Sequence, residues 1–92
     1  MWCVTENIID KDEETVPLFK SADYDRERME AETTIKFRLL DDDGEVYFKG
    51  LALEYGFLFG GEEESFAPLD QLGRGYGCTT LEYKMHGKWE VL

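Results

Sequence analysis

Two alternating runs of side chains flank one acidic turn, and this arrangement restricts the fold more than any other feature of the chain. In Thr33-Thr34-Ile35-Lys36-Phe37-Arg38-Leu39-Leu40, the apolar residues Ile35, Phe37 and Leu39 share one face, and Lys36 and Arg38 take the other. Glu45-Val46-Tyr47-Phe48-Lys49 alternates as well, and Asp41-Asp42-Asp43-Gly44 between the runs is a turn signal. The pattern predicts a β-hairpin. A four-residue loop would set Leu40 against Glu45, Leu39 against Val46 and Phe37 against Phe48, so that the apolar sides coincide.

Beyond Lys49 the parity changes. Leu51, Leu53, Tyr55, Phe57 and Phe59 are odd-numbered, and Gly50 at the switch predicts a β-bulge or bend. The odd-numbered stripe reads as a continuing strand that ends at Gly60-Gly61. A second hairpin is expected at the end of the chain. A three-residue connection, His86-Gly87-Lys88, would pair Met85 with Trp89 and Tyr83 with Val91 on one coherent face. Trp2 to Ile9 is β-rich. Ser21 to Glu32 is the candidate helix, with Ser21 as N-cap and Ala22, Met29 and Ala31 as its small or apolar positions. Phe66, Leu69 and Leu72 around Pro68 suggest one tight helical turn stopped by Gly73. The expected fold is a single domain over residues 1–92, α+β or mainly β, with an antiparallel sheet of four to six strands and one short helix.

Charge narrows the function. The chain carries 21 acidic and 10 basic side chains, net −11. That balance argues against a phosphate-gripping basic surface as the main activity, because direct nucleic-acid binding needs clustered Lys and Arg. The acids are grouped: Asp10, Asp12, Glu13 and Glu14; then Asp41, Asp42 and Asp43; then Glu62, Glu63 and Glu64. Each group falls in a segment that reads as a loop.

Catalytic and metal chemistry find little footing. An EF-hand reading of Asp41-Asp42-Asp43-Gly44 would place Leu39 and Gly50 at ligand positions, and neither has a ligating side chain. Cys3, Cys78 and His86 form no short-spaced zinc pair. One His and two Ser, Ser21 and Ser65, do not make a nucleophile, base and orienting group at recognisable spacing. With so many carboxylates, chance pairs carry no information about acid–base catalysis. No catalytic, cofactor or metal residue is assigned, and the chain reads as a non-enzyme. Gly73-Arg74-Gly75-Tyr76-Gly77 departs from the phosphate-cradling glycine pattern, but it displays Arg74 and Tyr76, residue types enriched at binding hot spots. The first residues lack a basic, then apolar, leader pattern, and Leu51 to Phe59 falls far short of a membrane span of ~20 residues. With one cysteine pair at most, the expectation is a cytoplasmic protein with reduced thiols and no membrane partner.

The run Phe37 to Phe48, together with Phe66-Ala67-Pro68-Leu69-Asp70, Gly77-Cys78-Thr79-Thr80 and Gly87-Lys88-Trp89-Glu90-Val91-Leu92, resembles small acidic proteins that recur in bacterial, phage and plasmid sequences. That group has no assigned chemistry, so the resemblance implies a mobile-element context and no catalytic residue. The functional expectation is a non-catalytic acidic interaction protein, in its sharpest form a nucleic-acid mimic that inhibits a host nuclease or another DNA- or RNA-binding complex. Asp41, Asp42, Asp43, Glu62, Glu63 and Glu64 would meet the partner's basic surface, with Arg74 and Tyr76 as further contact residues. The alternative is a self-associating or protein-binding β module without mimicry, a homodimer formed through the Leu51 to Phe59 stripe at a sheet edge.

Overall fold

The computed structural model describes residues 1–9 and 19–92. Six strands form one antiparallel sheet: β1 (Trp2–Asn7), β2 (Phe19–Lys20), β3 (Thr34–Leu40), β4 (Val46–Leu53), β5 (Thr80–Met85) and β6 (Lys88–Val91). Their spatial order is β2-β1-β4-β3-β5-β6. Three α-helices, α1 (Arg26–Ala31), α2 (Glu54–Phe59) and α3 (Gly61–Gln71), and a 3-10 turn (Gly73–Tyr76) complete the described elements. The expected antiparallel sheet is present, with more helix than the one short element foreseen. None of the described helices is long and apolar enough to cross a membrane.

Alternation decides which side of the sheet is covered. Ile35, Phe37 and Leu39 of β3 face the same way as Phe48 and Ala52 of β4, Trp2 and Val4 of β1, and Leu81 and Tyr83 of β5. Ala67 and Leu69 of α3 and Cys78 close over them, with Phe57 of α2 packed alongside. Burying a large side chain of this kind stabilises the fold by about 1.5–3 kcal/mol. Among the described residues, the other side of the sheet is covered at one end, where Met29 of α1 packs on Met1, Cys3 and Leu53.

The hairpin of β3 and β4 forms as expected, in a different register. Asp41 N–H donates to the Glu45 carbonyl at 3.0 Å, which leaves three loop residues, and Gly44 takes the left-handed φ of +81° that this loop length requires. Leu40 then pairs with Val46 but Leu39 with Phe48, so Tyr47 is an extra residue in β4. The parity switch therefore occurs at this bulge and not at Gly50. Gly50 stands in regular register opposite Phe37.

Four further expectations are corrected. The strand ends at Leu53, and Tyr55, Phe57 and Phe59 belong to α2. β4 is an interior strand with β1 and β3 on its two sides, so the Leu51 to Phe59 stripe is not a sheet edge. The candidate helix begins at Arg26, with Asp25 as N-cap accepting from the N–H groups of Glu27 and Arg28. Ser21 Oγ instead accepts from Trp2 N–H at 3.0 Å, tying the chain before α1 to β1. The final hairpin uses a two-residue turn, because His86 and Gly87 both adopt positive φ, +52° and +78°. Lys84 therefore pairs with Trp89 and Met85 with Lys88. Trp89 lands on the open side of the sheet, away from the core.

Candidate functional site

The two acidic groups within the described residues have different structural origins. Asp41 builds its own turn: Oδ1 accepts from Asp43 N–H and Glu45 N–H, each at 2.9 Å. These bonds, that from Glu45 first, hold its carboxyl below the ordinary value. Asp42 and Asp43 are exposed at the tip. Glu62, Glu63 and Glu64 occupy the first turn of α3 and not a loop, a place where negative charge favours the helix dipole. Glu62 and Glu63 face solvent, whereas Glu64 accepts a hydrogen bond from the amino group of Met1.

These groups do not converge. Asp41 to Asp43 lie where β4 begins, and Glu64 lies beside Met1, whose carbonyl accepts from Leu53 N–H at the other end of β4. The eight residues of β4 separate them by about 23 Å at 3.3 Å per residue. The second group has company that sequence spacing did not suggest. Asp23 also approaches the Met1 amino group, at 3.6 Å, so the segment before α1 and the start of α3 bring carboxylates to one end of the molecule. Asp10, Asp12, Glu13 and Glu14 lie outside the described residues.

Arg74 and Tyr76 are occupied more than their exposure implies. Arg74 Nε donates to Asp70 Oδ1 at 3.0 Å across one helical step. Tyr76 sets its ring against Phe48 at 5.2 Å and Phe19 at 5.7 Å, sealing one end of the core while 45% of the residue stays exposed. Both cysteines are buried and free. Desolvation raises the Cys78 thiol to about 11 and raises Cys3 as well, so neither is poised as a nucleophile.

Among the described residues, the strands and the layer of residues 54–76 differ in charge. Residues 54–76, which form the helical layer, hold Glu54, Glu62, Glu63, Glu64 and Asp70 against Arg74, itself paired to Asp70. The strands show the reverse on the face turned from the core. Lys20, Lys36, Arg38, Lys49 and Lys84 project there, against Glu6 and Glu82. Half of the chain's 10 basic residues thus stand on one sheet face. Arg38 is bonded to Glu82 and lies 4.3 Å from the centre of the Trp89 ring. The basic face escaped sequence reading because its residues come from four strands, and net charge conceals them. The signal was present in the polar positions of each alternating run.

Set beside known proteins, the chain matches no family model, no curated protein and no solved structure.

Proposed function

We propose that this chain is a non-catalytic interaction protein that meets a basic partner through its acidic helical side. The observation that carries this reading is the content of residues 54–76: five carboxylates and a single base, which is neutralised within the same layer by Asp70. Glu62 and Glu63 are exposed at the start of α3, and Asp23 adds a carboxylate at the same end. A surface of one sign speeds encounter with an oppositely charged partner and weakens with salt. In its sharper form the partner is a nucleic-acid-binding protein, and the carboxylates stand in for phosphates. An inhibitor of a host nuclease encoded on a phage or plasmid fits that form, with Asp42 and Asp43 as a separate contact about one strand length away.

The test is capture from a bacterial extract on the immobilised chain, followed by elution with salt. Retention of a nucleic-acid-binding protein that duplex DNA displaces is the expected outcome. The Glu62→Lys, Glu63→Lys double variant should lose it. Retention indifferent to both salt and charge reversal would contradict the proposal.

One observation favours self-association as a second reading. Tyr55, Leu58 and Phe59 of α2 are 70%, 55% and 71% exposed, and the rings of Tyr55 and Phe59 lie 5.1 Å apart. The contact would be a helix face and not a strand edge. Phe59→Lys tests it by light scattering, whereas Phe57→Lys would disturb the core, since the Phe57 ring lies 4.3 Å from that of Tyr83.

A further inference from the structure

The residues of the open sheet face fall into two rows that run across the strands. In one, Glu6, Lys49, Arg38, Glu82 and Val91 are successive partners on β1, β4, β3, β5 and β6. Its two bases are bracketed by two acids. In the other, Cys3 opposes Leu51, and Leu51 opposes Lys36. Continuing the β3–β5 register one residue past Phe37–Tyr83 sets Lys36 against Lys84, which in turn opposes Trp89. That row contains two lysines side by side and no acid.

Like charges directly opposed on neighbouring strands are unfavourable unless something neutralises them. Here nothing within the described protein does so. Among the described residues, no carboxylate lies within 4.0 Å of the ammonium of Lys36, Lys49 or Lys84. Glu54 lines a neighbouring cavity with Lys36 and Lys84 but lies outside ion-pair distance of both. The three lysines and Trp89 border a depression of about 490 Å³, together with one acid, Glu6, which stands opposite Lys49 in the first row. Its floor includes Phe37 and Gly50, whose side-chain positions face the core, so this side offers their backbone. A volume of this size is that of a small-molecule site.

We propose that this depression binds a small polyphosphate ligand, with a nucleoside di- or triphosphate as the class that uses all of it. The phosphates would lie among Lys36, Lys84 and Lys49, since ammonium groups bind phosphate as point charges. The base would lie against the indole of Trp89, a half-buried ring in register with Lys84, and would share it with Arg38, whose guanidinium lies 4.3 Å from the ring centre. The overall negative charge opposes a long polyanion more than a compact ligand, because beyond a Debye length of about 8 Å the acids elsewhere are screened. This site is on the opposite side of the sheet from the acidic helical layer and does not depend on the function proposed above.

The test is calorimetric titration of the full chain with adenosine triphosphate, in chelator so that no metal bridges nucleotide to carboxylates. Saturable binding at one site is expected. Replacing both lysines, Lys36→Gln with Lys84→Gln, should weaken it roughly 10- to 100-fold, while Glu62→Lys with Glu63→Lys leaves it in place. Trp89→Leu should weaken adenosine triphosphate about fivefold or more and leave inorganic tripolyphosphate unchanged. The lysine variant should unfold as cooperatively as the parent and at no lower temperature, since it removes an opposed like-charge pair. Absence of saturable binding, or binding unchanged in the lysine variant, would overturn the proposal. So would tighter binding of a ten-nucleotide thymidine strand than of adenosine triphosphate, which would make the face a strand-binding surface.

Discussion

Gly50 stands directly across from Phe37 in the centre of the sheet, and the Phe37 ring fills the space a side chain at Gly50 would need. A Cβ there would lie 2.5 Å from Phe37 Cζ and 2.2 Å from the Cys3 carbonyl oxygen. One of those obstacles is backbone of the neighbouring strand, so no side-chain rotation relieves it. Gly50→Ala should destabilise the protein by about 1–3 kcal/mol, the range for overpacking a close-fitted core. Denaturant titration with an unchanged slope and a lower midpoint would show it.

Tyr83 joins the sheet to the helical layer through a polar contact inside an apolar core. Its hydroxyl donates to the Ser65 carbonyl at 2.7 Å, and desolvation holds the phenol well above its ordinary pKa. Tyr83→Phe keeps the ring contacts with Phe37 and Phe57 and removes only the donor. A loss of about 1 kcal/mol is expected from equilibrium unfolding. A neutral result would mean that the helical layer is held by packing alone.

The Asp41 turn gives stability a specific dependence on acid. Its folded-state carboxyl titrates below the ordinary 3.8 because backbone N–H groups, that of Glu45 first, stabilise the charged form. A depressed folded pKa means the contribution is present above the unfolded value and is lost as pH falls through the folded one. Asp41→Ala should therefore be less stable than the parent at pH 7. The difference between the two should narrow below about pH 4. Unfolding midpoints of both proteins across that interval supply the comparison.

Cys3 and Cys78 should resist alkylation until the protein unfolds. Both are buried, and they sit on opposite sides of the sheet, Cys78 in the core and Cys3 beneath α1. With its thiol near 11, Cys78 is almost wholly protonated at pH 8. Labelling that tracks global unfolding is predicted. Fast labelling of the native protein would contradict the burial of both.

Much of the sheet was legible because alternation and the Asp-rich turn act over neighbouring residues. Ile35, Phe37, Leu39 and Phe48 face the core as their spacing implied. Register was not legible, since it depends on where one extra residue, Tyr47, is accommodated after the Asp41 turn has closed. α2 was misread because Tyr55, Phe57 and Phe59 alternate like a strand, yet Tyr55 and Phe59 are also four apart and meet on one helical face. α3 was masked by Gly60-Gly61 and Pro68, although three glutamates followed by small and apolar residues are a helix-start signal. The acidic groups were legible as sequence, while their separation and the basic face opposite them depend on strand order.

If the acidic helical side carries partner binding, the chain competes with nucleic acid for the captured partner. Increasing amounts of the chain should displace duplex DNA from that partner. The Glu62→Lys, Glu63→Lys variant should fail to do so, and the parent's effect should fade with added salt. Equal displacement by the parent and the charge-reversed variant, unchanged by salt, would contradict the account.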